Sequence, residues 1–357
     1  MTVEAVPKST PTGSGWYPFG VAGTSAQWDG QAWTGEKHAD ADVPEPPKWH
    51  HRPFAFLGHK WFWFMVVGNV LVVGAAFVVM GTKRAFPGWF LVVAAMVVFM
   101  AGVVYLLDRH EKFGQVEGRR KLMWWGLGSG LVGVFTASML ESGGLETRMG
   151  IPLKIDLWLA GPIEETCKLA IPFLLLVFGG RMFKDPRAGL MMVMFSGVAF
   201  GAVEAAMYTA SPEEWAPFMM ALERPVSELL HPFLTAFAAA VIWLAAWRAG
   251  KAFTWIGAGA WVGAMAIHSF HDGMLSPFEH GDQITTPDIP TVTSALTYSA
   301  SGFVLSLIWA IILYLLLRHT ARELVPPDAV ASNAPHWRPL IKQWGLAKSH
   351  ETADHTT

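Results

Sequence analysis

The sequence predicts an all-α fold, a polytopic bundle of about eight transmembrane helices with both termini in the cytoplasm (N-in/C-in). Three observations carry that expectation. Hydrophobic residues make up 52% of the 357 positions and charged residues only 15%. The apolar residues gather in windows of about 20, the length that crosses about 30 Å of hydrocarbon at about 1.5 Å per residue. The windows are continuous and not alternating, the pattern of helices and not of barrel strands. A formal net charge of -2 without a basic stripe gives no nucleic-acid partner, so the lipid bilayer is the first partner. The one cysteine, Cys167, excludes an intramolecular disulfide framework and a cysteine metal cluster. Thr2 to Gly58 has no apolar core of a secretory signal.

In chain order, residues 1–52 are rich in Pro, Gly, Ser, Asp and Trp and read as a cytoplasmic tail. Gly15-Trp16-Tyr17-Pro18-Phe19 and Gln27-Trp28-Asp29-Gly30 through Trp33-Thr34 are turn-rich, with aromatics placed to clasp one another in a small module at 14–38. A tail with adhesive tryptophans is the plainer alternative. Asp40 to Lys48, with Pro44, Pro46 and Pro47, reads as a linker. The bundle follows over 53–318. Its spans are placed at Trp61–Met80, Gly88–Leu107, Leu122–Leu140, Leu157–Phe178, Gly189–Ala210, Leu229–Trp247, Thr254–Asp272 and Ser294–Leu317. Residues 319–357 read as a mobile cytoplasmic tail, punctuated by Pro326, Pro327, Pro335 and Pro339.

Orientation follows from lysine and arginine. With the N-terminus inside, the cytoplasmic flanks carry fifteen basic residues and the opposite loops five. The outer loops are acidic: Ser211–Glu228 holds Glu213, Glu214, Glu223 and Glu228 against Arg224, and Ser276–Pro290 holds Glu279, Asp282 and Asp288. Both read as solvated loops, with Glu228 and His280 among their solvated residues.

Ionisable groups nevertheless fall inside four spans. The fourth holds Gly161-Pro162-Ile163-Glu164-Glu165-Thr166-Cys167-Lys168, the fifth Phe200 to Glu204, the sixth opens on Glu228 to His231, and the seventh ends on His268 to Asp272. A charge at the bilayer centre costs at least about 2.5–3.5 kcal/mol, so such residues face protein or a wet cavity and mark function. On the predicted orientation Glu164 and Glu204 both lie roughly 10 Å below the outer surface at about 1.5 Å per residue. His231, His268 and Asp272 fall nearer that surface. One polar layer, open to the extracytoplasmic side, results.

Helical spacing assigns partners. Lys168 is i+4 from Glu164 and i+3 from Glu165, so either carboxylate can pair with it. The two glutamates diverge by about 100°, so one is expected on Lys168 while the other faces a cavity. His268 and Asp272 share a face, where the carboxylate could fix the imidazole tautomer. Gly197, Gly201, Ala202, Ala205 and Ala206 give the fifth span a small-residue stripe for close packing. A buried glutamate that takes a proton from water, with histidines to stabilise an oxyanion or hold a metal, would support hydrolysis. His271 and Cys167 read as structural, the first an interface histidine and the second a small filler. Tyr208 and Thr209 read as markers of the outer interface.

Glu-Glu-x-x-Lys at 164–168, Phe-x-x-x-Glu at 200–204 and His-x-x-x-Asp at 268–272, in this order on successive spans, resemble the PrsW family of intramembrane proteases. His231, in His-Pro-Phe, matches a further histidine of that family. The resemblance covers roughly 120–318, with its motif core at 157–272. More remotely the set is similar to CAAX-processing glutamate proteases, which have Arg in place of Lys168 and His in place of Glu204. The N-terminal stretch resembles a short domain of unknown function found ahead of membrane segments.

The resemblance implies an intramembrane endopeptidase with Glu164, Glu165, His231 and His268 as catalytic residues. Lys168, Phe200, Glu204 and Asp272 would support them. Metal-assisted and metal-free glutamate routes both stay open, the balance slightly towards a metal. A Zn²⁺ ion would be held by His231, His268 and Glu204. The implied partner is a membrane-anchored protein substrate of the anti-sigma-factor kind. A proton- or ion-coupled transporter and a non-catalytic membrane sensor are the competing readings. No repeated half with paired broken helices supports the transporter.

Overall fold

The computed structural model describes residues 15–18, 24–28, 33–39, 55–111, 116, 118–210, 216–275 and 292–321. The chain divides into two units. In the N-terminal one, three short strands, β1 (Gly15–Pro18), β2 (Thr24–Trp28) and β3 (Trp33–Ala39), form an antiparallel sheet in the order β1-β2-β3. Gly15 stands opposite Trp28, and Trp28 opposite Trp33. These strands fall on the stretch in which the sequence marked turns and a small module. The linker at 40–48, the acidic segment 276–290 with His280, and the tail beyond Ala321 lie outside the described residues.

The described residues of the second unit, His59–Ala321, form helices joined by short turns. Its helices are α1 (Lys60–Thr82), α2 (Ala85–Glu111), α3 (Arg119–Leu140), α4 (Leu153–Phe178), α5 (Pro186–Thr209), α6 (Ala216–Ser227), α7 (Ala236–Ala249), α8 (Trp255–Phe270) and α9 (Val292–Ala321). Among the described residues six stretches are long and apolar enough to cross a membrane: α1, α2, α3, α5, α9 and the joined run Pro217–Ala249 through α6 and α7. This unit is a multi-pass, all-α membrane bundle. The other two expected spans coincide with α4 and α8. They fall short for different reasons: α4 carries Asp156, Glu164, Glu165 and Lys168, and α8 is only 16 residues before a π-helical turn takes over.

The sixth span departs most from expectation. The segment read as a solvated outer loop up to Glu228 contains α6, and it is packed inside the bundle with Glu223 and Glu228 buried. Composition misled here because four acidic residues in 18 read as hydration. In the fold, Glu228 finds a cation, Arg224, and an imidazole, His231.

At the centre stands α5, packed against α2, α3, α4, α6 and α7 and buried along nearly its whole length. Its start is fixed by Asp185, whose side chain accepts from the Arg187 amide at 2.7 Å, with Pro186 at the first helical position. Close approach depends on missing side chains. A Cβ on Gly126 or Gly130 of α3 would lie 2.2 or 2.1 Å from a carbonyl of α5, so α3 and α5 nearly touch backbones. Apolar side chains on α1, α2, α3 and α9, among them Val70, Val97, Val132 and Ile308, are exposed and form the lipid-facing surface.

Candidate active site

Helix α4 contains two prolines, and each leaves a carbonyl four residues back without its helical donor. Pro162 frees the Trp158 carbonyl, which accepts from the Ser269 hydroxyl of α8 at 2.7 Å. Pro172 frees the Lys168 carbonyl, which accepts from Ser196 of α5 at 2.9 Å and, more weakly, from Ser129 of α3 at 3.4 Å. Three neighbouring helices are thus tied to α4 by the bonds its prolines vacate. Glu164, Glu165 and Lys168 lie between those two fixed points.

Both glutamates meet Lys168. Its Nζ is 3.0 Å from Glu164 Oε2, 2.9 Å from Glu165 Oε1 and 2.6 Å from His231 Nδ1. The ammonium also lies 4.3 Å over the Phe200 ring. This corrects the expectation that Lys168 would hold one glutamate and release the other. A lysine ammonium has three donors, and all three are used.

The glutamates still differ. Glu165 is fully buried and saturated: Oε1 also meets His268 Nδ1 at 2.8 Å, and Oε2 accepts from Thr235 at 2.8 Å. Glu164 is 5% exposed, and its polar contacts among the described residues all fall on Oε2: Lys168, His268 Nε2 at 3.5 Å and His231 Nδ1 at 3.8 Å. Among the described residues Glu164 Oε1 has no polar contact.

His231 opens a π-helical turn, His231–Thr235, at the junction of α6 and α7. A second such turn, His271–Leu275, follows α8 directly after His268, and a third, Glu141–Glu146, ends α3. Single π turns are frequent at functional sites because they re-aim side chains inside a helix. His231 Nε2 lies 2.8 Å from both Glu204 Oε2 and Glu228 Oε2. Since an ammonium can only donate, Nδ1 is the acceptor and Nε2 the N–H side of this ring. His268 Nε2 is 3.2 Å from Asp272 Oδ2, as the shared face predicted, but it is Glu165 that holds the other ring nitrogen. Asp272 Oδ1 also takes His271 Nδ1 at 2.7 Å, and the His271 ring stacks on Trp309 of α9.

Every residue predicted for the site, on α4, α5, the α6–α7 junction and α8, therefore converges. Sequence reasoning missed three more. Glu228 is buried and not solvated, and it pairs with Arg224 at 3.1 Å. Arg224 also lies 3.7 Å from Glu204 and 3.5 Å over the Tyr208 ring. Glu141 has a buried Oε1 without a hydrogen bond, and its charged neighbours include Glu164 and Glu204. The i,i+3 spacing of Glu228 to His231 was the one signal for the first; nothing local pointed to Glu141. Cys167 is a free thiol that packs against Val134, Ala137, Phe200 and Val203, in keeping with a filler.

The donor set could take a divalent ion once the Lys168 ammonium gives up the His231 Nδ1 lone pair it holds at 2.6 Å. Glu164, His231 and His268 each offer an atom, all within 4.8 Å of one another. The far nitrogens of both rings rest on carboxylates, the usual support of metal-bound histidines. Charge points the same way: five carboxylates (Glu164, Glu165, Glu204, Glu228, Asp272) face two fixed cations (Lys168, Arg224), so further positive charge has to enter as protons or as a metal. Glu204, expected beside both histidines, instead meets His231 from its opposite edge, and Glu164 takes the place beside His268.

A membrane-embedded cluster of paired carboxylates, imidazoles and one ammonium defines a class, the polytopic membrane proteins with an internal acid–base site. The particular family follows from the match of residues 118–321, α3 to α9, to the PrsW family of intramembrane metalloproteases. The chain belongs to that family. Comparison with curated proteins and with solved structures gives no match.

Proposed function

We propose that the protein is an endopeptidase that hydrolyses a peptide bond of a membrane-anchored protein inside the bilayer, near the extracytoplasmic face. Glu164 is the base. The observation that carries this reading is its asymmetry: Oε2 is engaged by Lys168 and turned to His268, whereas among the described residues Oε1 has no hydrogen bond or ion pair. Oε1 accepts a proton from water as the water oxygen bonds to the scissile carbonyl carbon. The tetrahedral adduct then collapses, the C–N bond breaks, and the proton on Glu164 passes to the leaving amine.

In this scheme Glu165 does not react. Bonded to Lys168, His268 and Thr235, it holds the ammonium and fixes the His268 ring so that Nε2 faces the reacting atoms. Lys168 offsets the charge of both glutamates in a site with little water. Phe200 closes the floor beneath the ammonium, and Glu204 and Asp272 orient the two imidazoles. A divalent ion such as Zn²⁺, held by Glu164, His231 and His268, would supply Lewis-acid polarisation of the carbonyl. Regulated cleavage of an anti-sigma-factor-like protein, with both termini of the protease cytoplasmic, is the role the family suggests.

The test is cleavage of a quenched-fluorescent peptide containing a single apolar span, by the full chain in lipid nanodiscs. Loss of cleavage in a folded Glu164→Gln protein is expected; native rates in that variant would sink the mechanism.

A further inference from the structure

We infer that Glu228 and Arg224, which lie outside the motif set, are positioning residues that hold His231 in one tautomer and one orientation. The inference rests on the hydrolytic reading for its effect on rate, but not for its geometry.

His231 faces two demands. Its Nδ1 side meets Lys168 at 2.6 Å, and its Nε2 side meets two carboxylates at 2.8 Å each. The one proton on Nε2 lies between the two oxygens. Neither Glu204 Oε2 nor Glu228 Oε2 makes a well-aligned hydrogen bond to it, although both atoms are buried. Two carboxylates this close repel, and they stay together because Arg224 reaches both, at 3.1 Å to Glu228 Oε1 and 3.7 Å to Glu204 Oε1. The guanidinium is in turn seated on Tyr208. Glu228 is three residues before His231 across the break between α6 and α7, so the same turn that displaces the helix delivers both side chains. Gly201 makes room: a Cβ there would lie 3.0 Å from His231 Cδ2 and 3.1 Å from Glu228 Cβ.

With Glu228 present, rotation of the His231 ring would lose two carboxylate contacts and the lysine contact at once. Without it, Glu204 alone remains on Nε2, and Arg224 is free to draw Glu204 away.

The experiment uses the full chain labelled with ¹⁵N-histidine in nanodiscs, the His231 signals being assigned by their loss in His231→Gln. The native protein is expected to show Nε2 protonated and Nδ1 bare. Glu228→Ala should shift or split those signals and lower Zn²⁺ affinity about 10–100-fold, the usual effect of removing a carboxylate behind a histidine ligand. Glu228→Gln, whose amide oxygen still accepts from Nε2–H, should restore the native signals. On the single-span peptide, kcat should fall in Glu228→Ala with KM unchanged. If Glu228→Ala does not fold, Arg224→Gln takes its place, since an uncharged amide no longer offsets the two carboxylates that Arg224 Nη1 reaches, and should disturb the same signals. Unchanged His231 signals in a folded Glu228→Ala protein would overturn the inference. So would a Glu228→Gln protein as perturbed as the alanine variant. Failure of the native protein to cleave the peptide would count against the protease reading alone, because the nitrogen signals decide this one.

Discussion

Lys168 Nζ lies 2.6 Å from His231 Nδ1, although 63 positions of chain separate the two residues. The contact joins the Glu-Glu-x-x-Lys helix to the α6–α7 junction and makes Lys168 the common neighbour of Glu164, Glu165 and His231. Removing it should be costly twice over.

Lys168→Met leaves two buried carboxylates without their cation. Breaking a buried pair in this way destabilises proteins by about 3–5 kcal/mol. Unfolding in mixed detergent micelles should register a loss of that size, with cleavage abolished. Lys168→Arg should not rescue activity, because a planar fork cannot replace a compact ammonium that donates in three directions. A Met variant as stable as the native chain would refute the pin.

Glu164→Gln and Glu165→Gln should separate two roles. The first removes the base and should lower kcat by about 10²–10⁴-fold while leaving stability within about 1 kcal/mol. The second breaks a saturated carboxylate with bonds to Lys168, His268 and Thr235. It should lower stability by about 3 kcal/mol as well as activity. Equal stability of the two variants, measured side by side, would contradict the division of labour.

Ser269 and Pro162 should be coupled. Ser269→Ala strips the Trp158 carbonyl of the hydroxyl that donates to it and should cost about 0.6–2 kcal/mol. In a Pro162→Ala background the restored helical N–H takes that carbonyl, and Ser269→Ala should become nearly neutral. A double-mutant cycle reads the difference directly. Additive effects would mean the hydroxyl does not replace the proline's missing bond.

Gly161→Ala would place a Cβ 2.2 Å from the Met265 carbonyl and 2.4 Å from Ser269 Oγ. Helices α4 and α8 would have to move apart, carrying Glu165 away from His268. Overpacking of this kind costs about 1–3 kcal/mol. Gly259→Ala, with open space at its Cβ, is the matched control and should be silent in both stability and cleavage assays.

Metal analysis of the purified chain should find about one equivalent of a divalent ion if the Glu164, His231 and His268 set is filled. His268→Ala should then lower Zn²⁺ affinity by more than about tenfold. Chelator-treated, metal-free protein that cleaves at the native rate would assign the chemistry to the glutamates alone.

Much of this site could be read from the chain. Charges in an apolar run are expensive wherever they fall, so Glu164, Glu165, Lys168, Glu204, His231, His268 and Asp272 declared themselves before any fold was known. Periodicity then put Lys168 within reach of either glutamate and set His268 beside Asp272. Glu228 and Arg224 escaped because they sit where an apolar run stops. At such a boundary composition cannot tell a solvated loop from a buried helix end.

What the sequence determined by itself was an all-α membrane bundle and a polar layer within it, since both follow from local hydropathy and the cost of burying charge. Tertiary structure decided which glutamate is left open. Glu164 and Glu165 are identical in chemistry and adjacent in sequence, and either can reach Lys168. Only the packing of α8 and the α6–α7 junction brings His268 and Thr235 onto Glu165 and leaves Glu164 Oε1 without a partner. Helical spacing gives directions around one axis; the other three walls of the site come from residues about 30 to 110 positions away, and no local pattern encodes them.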